Sequence, residues 1–297
     1  MFSNSFGSHH MYKIAIIFTC FNRVNTTRRF LKSLNDAFIP AELNLEVFGL
    51  DDGSSDGTYN ELIIHGVKAF KSNGSEYWAG GMRKIISKID LKKYDFVLCV
   101  NDDIVLNFNV FDILLNTIRE HSSNIRNSIF VASCYSNNRL TYGSVHLQKK
   151  YYGYRLHLSH SQDTLVNTFN MNFTLIPTDI IRKFGFLDEV FTHHWADFDY
   201  GIRMTSKGVN IIQIHDHICN CDRDMSAAGS FDMSYNFTKR LKLFLGPKEQ
   251  LPAERWIFYK RHGGFLWILG FLSSYFLFFF PRFRLYLKKL KQSNYLL

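Results

Sequence analysis

Phe96-Val97-Leu98-Cys99-Val100-Asn101-Asp102-Asp103 is an apolar run that ends in an amide and two adjacent carboxylates. Five apolar residues without polar alternation predict a strand covered on both faces. Such a strand leaves Asp102 and Asp103 together at the carboxyl edge of a sheet, where open α/β folds bind ligands. Two neighbouring acids repel each other and are costly to desolvate. A hard cation bridging them to phosphate oxygens is their natural partner. Alone, the tripeptide also suits a solvated turn after a strand, so the flanking sequence has to decide.

Upstream, Ile14-Ala15-Ile16-Ile17-Phe18 predicts a first strand ending at Thr19-Cys20-Phe21-Asn22-Arg23. A helix is expected from Asn25-Thr26-Thr27, with Asn or Thr as cap and Phe30, Leu31 and Leu34 on one face. Leu45 to Leu50 predicts a second strand. Asp51-Asp52-Gly53-Ser54-Ser55-Asp56-Gly57-Thr58 then turns into a helix from Tyr59 to His65. Val67 to Lys71 suits a short third strand, and helical spacing follows Trp78-Ala79-Gly80-Gly81. A helix near 108–120 and a strand over 129–134 extend this β-α series, which implies a mostly parallel sheet. Residues 140–170 suggest short antiparallel strands and loops. Pro177 to Phe184 and Asp197 to Lys207 suit short helices, the second stopped by Gly208 and followed by strand Val209 to Ile214.

Three predicted strand ends therefore converge: Thr19 to Arg23, Asp51-Asp52, and Asn101 to Asp103. There Asp52 could accept from a base imide N–H, and Arg23 could meet phosphate. The Asp51 to Ser54 stretch is equally an ordinary Asx-type turn. Trp78 with Gly80 and Gly81 pairs a large ring with closely approachable backbone, either the wall of a sugar site or a core Trp at a helix start. Asp197 falls in the first turn of its helix, where the dipole favours the ionised form, and a carboxylate so placed can be a general base or only a helix-start acid. Asp199 and Arg203 form an i,i+4 pair, a structural feature. There is no Walker loop and no Gly-x-Gly-x-x-Gly, which argues against an ATPase or a dehydrogenase.

Composition narrows the classes. Hydrophobic content of 46% in 297 residues excludes wholesale disorder, and 35 Lys+Arg against 26 Asp+Glu give +9. That charge points to nucleic acid, nucleotide phosphates or an acidic membrane face. The 5 cysteines are odd in number and scattered, unlike a secreted disulfide framework, and Cys219-x-Cys221 lacks the usual zinc spacing. No apolar leader is visible, so a cytoplasmic protein is expected. Gly7-Ser8-His9-His10 before Met11 suggests that residues 1–10 are a tag remnant.

The order of Thr19-Cys20-Phe21-Asn22-Arg23, Asp51 to Thr58 and Asn101-Asp102-Asp103 resembles family 2 glycosyltransferases of the GT-A fold. Asn172-Phe173-Thr174-Leu175-Ile176-Pro177, Gly185-Phe186-Leu187-Asp188-Glu189 and Asp197-Phe198-Asp199-Tyr200-Gly201-Ile202-Arg203 resemble the bacterial rhamnosyltransferase-like branch. The resemblance spans residues 12–225, and weakly Arg261-His262-Gly263-Gly264. It implies an α/β catalytic domain over 11–225 with helices on both faces of its sheet. It further implies inverting transfer from a nucleotide-diphospho-sugar to a glycan or lipid-linked glycan in surface polysaccharide synthesis, such as O-antigen or capsule. Thr19, Phe21 and Asp52 would hold the base, Asp102 the ribose, Asp103 a divalent Mn²⁺ or Mg²⁺, and Asp197 would be the catalytic base. Trp78, Gly80 and Gly81 fall at the sugar-side loop. Many relatives place a histidine metal ligand after the last strand. Cys221 stands there in this chain, flanked by His215, His217 and Asp222, so the third ligand stays open.

Residues 226–297 turn basic and aromatic. Phe265 to Phe280 carries no charge but is shorter than the ~20 residues that span a bilayer. With Lys260, Arg261, Arg282, Arg284, Lys288, Lys289 and Lys291 around it, it suits an interfacial helix on an anionic membrane, peripheral at the inner face. A helix docked on the protein or on a second copy is the alternative. Two other functions remain to weigh. A nucleotidyltransferase would want a Gly-rich basic signature after the first strand, which Thr19 to Arg23 lacks. A non-catalytic nucleotide- or nucleic-acid-binding protein would spread its cations over one face, whereas here many fall in residues 239–291. Nucleic acid is therefore not expected as a partner.

Overall fold

The structure, a computed structural model, describes residues 11–136, 139–150, 153–158, 166–221, 229–247, 249 and 251–283. The expectations for residues 1–10, Asp222, Arg284, Lys288, Lys289 and Lys291, and for the His215 side chain, lie outside what is described. The chain forms two compact units, the first comprising Met1–His146, Leu158–Thr192 and Ala196–Arg223.

That unit opens with β1 (Tyr12–Cys20), α1 (Val24–Asp36), β2 (Leu43–Asp51), α2 (Thr58–Ile64), β3 (Lys68–Lys71), α3 (Tyr77–Lys88) and β4 (Phe96–Val100). Next come β5 (Val105–Leu106), α4 (Val110–Glu120), β6 (Ser128–Ser136), β7 (Arg139–Tyr142) and the start of β8 (Ser144–Lys150). After β9 (Gly153–Leu158), which begins in the second unit, the first resumes with β10 (Thr168–Phe169), β11 (Phe173–Pro177), α5 (Thr178–Phe184), α6 (Ala196–Ser206) and β12 (Asn210–Asn220).

The main sheet runs β3-β2-β1-β4-β11-β6-β12-β5, with β7 beside β6. β1 pairs in parallel with β2 and β4, β2 with β3, and β6 with β12. β11 lies antiparallel between β4 and β6. Strand 129–134 thus keeps the common direction but is separated from β4 by a strand that returns forty residues later. Nothing in the local pattern of either strand encodes that insertion. β12 runs six residues past the expected Ile214, with register shifts between Ile214 and His217 and between His217 and Cys219.

Both faces of the sheet are covered, as the unbroken apolar runs require. Ile14, Ile16, Phe18, Leu98 and Val100 pack with Phe30, Leu31 and Leu34 of α1 and Phe111 and Leu114 of α4. Their neighbours Ala15, Ile17, Val97 and Cys99, which point the other way, are equally buried. Gly81 of α3 lies against Thr19, where a β-carbon would come within 2.6 Å of the threonine methyl. That close approach, rather than an exposed backbone, is what Gly81 serves.

The second unit comprises Leu147–His157, His193–Trp195 and Asp224–Leu297. Its helices are α7 (Phe237–Phe244), α8 (Pro252–His262) and α9 (Trp267–Phe279). Aromatic packing joins them. The Phe244 and Phe278 rings stack at 4.2 Å, Arg255 lies over Phe244 at 4.3 Å, and Trp256 meets Trp267 at 4.7 Å. Among the described residues no helix is long and apolar enough to cross a membrane.

Candidate active site

β1, β2 and β4 end side by side, with Cys20 in register with Asp51, so their last residues form one edge. The loops there are laced together before any ligand is considered. The Asn22 N–H donates to Ser54 Oγ at 2.8 Å, and the Ser55 N–H donates back to Asn22 Oδ1 at 2.8 Å. The N-terminus of α1 is capped from a distance. Asp56 Oδ2 accepts from the Val24 N–H at 3.0 Å, where a local Asn or Thr was expected. Asp56 Oδ1 accepts from the Thr58 N–H at 3.0 Å, so one carboxylate caps two helices.

Asp52 is buried and its carboxylate is already employed. Oδ1 accepts from Ser72 Oγ at 2.5 Å and from the Gly74 and Glu76 N–H groups at 3.1 and 3.2 Å, and Oδ2 from the Tyr77 N–H at 2.8 Å. Tyr77 sits at φ 53, a strained left-handed conformation for a bulky residue. Asp52 thus shapes the 72–77 loop that launches α3. Phe21 is 41% exposed at the same edge, and Thr19 is half-buried.

Asp102 is sealed from solvent. Its Oδ1 accepts from Arg23 Nη1 at 2.9 Å and its Oδ2 from Thr27 Oγ1 at 2.7 Å. Burial pushes its carboxyl up to about 6 against the opposing pull of Arg23 and Thr27. Asp103 remains accessible at 38% of its side chain, with Arg23 Nη1 3.6 Å from Oδ2 and the Cys221 thiol 3.8 Å from Oδ1. His217 instead bonds Asn220 through Nε2 at 2.8 Å. Among the described residues no group of three His, Cys, Asp or Glu side chains is poised to hold a metal. The open carboxylate of Asp103 fits a Mg²⁺ or Mn²⁺ ion that draws its other ligands from a diphosphate and water, once the Arg23 guanidinium beside it gives way.

Asp197 is tied to this edge by a chain of bonds. The Trp78 Nε1–H donates to Asn101 Oδ1 at 3.0 Å, and the Asn101 N–H donates to the Asn172 carbonyl at 3.1 Å. The adjoining Met171 N–H and the Asn170 side chain bond the Asp197 carboxylate, which also accepts from the Phe198 N–H at 2.8 Å. α6 is pressed onto β10, because a β-carbon at Gly201 would come within 2.6 Å of Thr168 Oγ1. The helix dipole does not win at Asp197, since burial raises its carboxyl to about 6. Asp199 and Arg203 pair at 2.7 Å, the structural link expected. No local sequence signal marks Arg83. Its Nη1 donates to the Asp188 and Phe191 carbonyls at 2.9 and 2.8 Å, fixing the chain that leads to α6. Gly80 is buried within α3 beside Glu76 and Arg83.

An acidic carboxyl edge, an accessible acid paired with a cation, and a recessed carboxylate linked through Asn101 are thus connected in one network. The family profile of glycosyl transferase family 2 matches residues 15–185, more than half of the chain. The chain belongs to glycosyl transferase family 2. Solved structures agree on the GT-A fold of this glycosyltransferase. TarS 1–349 of S. aureus in complex with UDP-GlcNAc aligns with TM-score 0.53 at 14% identity, over 84% of this chain and 71% of that one. The mannosyltransferase PcManGT of Pyrobaculum calidifontis, in complex with GDP-Man and Mn²⁺, aligns with TM-score 0.53 at 12% identity, over 78% of this chain and 65% of that one. Among curated proteins, none matches the sequence.

Proposed function

We infer that this glycosyltransferase moves a sugar, a hexose or deoxyhexose, from a nucleotide-diphospho-sugar to an acceptor hydroxyl by a single inverting displacement. The observation that carries the reading is the line of bonds and neighbouring residues from Asp103 and Arg23 through Asn101 and Asn172 to Asp197, which supports a cation bound near the one acid and a base at the other. Phe21 offers its ring to the base of the nucleotide, and Trp78, held by Asn101, borders the sugar. Asp103 would hold a divalent Mn²⁺ or Mg²⁺, with Cys221, His215, His217 and Asp222 the candidates for a further ligand, and the ion would neutralise charge on the departing diphosphate. Asp197 removes the acceptor proton. A carboxyl raised to about 6 is still ionised at neutral pH yet more basic than an ordinary aspartate. The acceptor then attacks the anomeric carbon from the face opposite the nucleotide. Relatives complexed with UDP-GlcNAc and with GDP-Man and Mn²⁺ support this donor class.

The acceptor we propose is a lipid-linked glycan of bacterial surface polysaccharide, met at the inner face of the plasma membrane. α9 supports it. Phe244 and Tyr275 pack inward, while Leu269, Leu272, Phe276 and Phe279 are 47–54% exposed along the other side. From Arg255 to Leu297 the sequence has no Asp or Glu. An apolar stripe in an all-basic segment suits an anionic lipid surface and suits a second copy poorly, because like charges would meet. A panel of UDP-, GDP- and dTDP-sugars, followed for hydrolysis with and without Mn²⁺, tests the catalytic reading. Metal-dependent release of one nucleoside diphosphate is expected, and release of nucleoside monophosphate with sugar 1-phosphate would favour a nucleotidyltransferase instead.

A further inference from the structure

Arg23 occupies the position that a metal on Asp103 needs clear. Its Nη1 donates to Asp102 Oδ1 at 2.9 Å and stands 3.6 Å from Asp103 Oδ2. The other Asp103 oxygen faces the Cys221 thiol at 3.8 Å. A divalent ion seated on Oδ2 at roughly 2.1 Å would come within a few ångströms of the guanidinium, and like charges that close repel strongly. Asp102 is the poorer ligand, being 3% exposed with its oxygens bonded to Arg23 and Thr27. The guanidinium is also able to move. The Arg23 side chain is 44% exposed, while its backbone is anchored through its N–H to Thr58 Oγ1 at 3.1 Å.

We propose that Arg23 is an internal counter-cation of the Asp102–Asp103 pair, which the diphosphate of the donor draws away so that metal and donor bind together. The inference rests on the donor and metal reading above and adds an order to it. Without nucleotide, a metal must displace Arg23 from its contacts with Asp102 and Asp103. With nucleotide, the diphosphate oxygens accept the guanidinium fork, for which their geometry is suited. By linkage, each ligand then raises the affinity of the other by the same factor.

Mn²⁺ titration followed by electron paramagnetic resonance of the free ion tests this without any turnover. In the nucleotide-free protein, Arg23→Gln is expected to bind Mn²⁺ about tenfold tighter than wild type. The gain in Mn²⁺ affinity that UDP or GDP brings should shrink correspondingly. Arg23→Lys, which keeps the charge and protects against loss of the fold, should stay near wild type. If Asp103→Asn binds Mn²⁺ as tightly as wild type, the metal reading itself fails, and this inference with it. If Asp103→Asn loses the ion while Arg23→Gln binds it no tighter than wild type, only the role of Arg23 is overturned.

Discussion

At the scale of single residues, the proposed base is Asp197, and two consequences follow from its surroundings. Asp197→Asn keeps the shape of the side chain but cannot take a proton. Transfer should fall by roughly 10²-fold or more while donor affinity is retained, which calorimetry and single-turnover kinetics together would establish. The pH profile has a definite sign. The base works only when ionised, so turnover at saturating donor should drop as pH falls through about 6, by about tenfold per unit below it. An acid limb that persists in Asp197→Asn would report Asp102, whose carboxyl burial also lifts to about 6. The identities of these acids were legible in the sequence, because strand ends and helix starts are local signals. Their partners were not. Arg23 and Asp102 are 79 residues apart, and Asp52 meets its donors 20 to 25 residues on. No spacing rule encodes such pairs.

Among the elements, the 72–77 loop shows how one carboxylate substitutes for a longer core. Asp52 satisfies three backbone N–H groups and a hydroxyl, and it holds Tyr77 at φ 53. Asp52→Ala would leave those donors without their acceptor, costing about 2–3 kcal/mol of stability. Hydrogen exchange should locate the change, with the Gly74, Glu76 and Tyr77 amides exchanging faster and those of β1 little affected. α9 makes the second case. The uncharged run was plain in the sequence, but which side packs inward depends on Phe244, Arg255 and Trp256 of other helices. Its 13 residues make a helix about 20 Å long, short of a bilayer's hydrocarbon core. Replacing Leu269 and Leu272 by Asp is expected to abolish co-sedimentation with anionic vesicles without lowering the melting temperature. High salt should only weaken wild-type binding, because the apolar contribution is insensitive to it. Equal sedimentation of the two proteins would point to a docked or dimer helix.

For the molecule as a whole, the order of strands that builds the edge could be read up to β4, since each strand there follows its helix and pairs with a near neighbour. β11 could not, because an antiparallel strand inserted between β4 and β6 is placed by tertiary pairing alone. It is nonetheless what brings Met171 and Asn172, and through them Asp197, to the acids of β4. The account stands on that convergence serving a metal-assisted nucleotide-sugar donor. Calorimetry of the UDP-, GDP- and dTDP-sugars in Mn²⁺, on wild type and on Asp103→Ala, addresses it most directly. One donor class should bind wild type with Mn²⁺ present, and both Asp103→Ala and removal of the ion should weaken it by at least about tenfold. Binding of that donor to Asp103→Ala in Mn²⁺ as tight as to wild type would contradict the account.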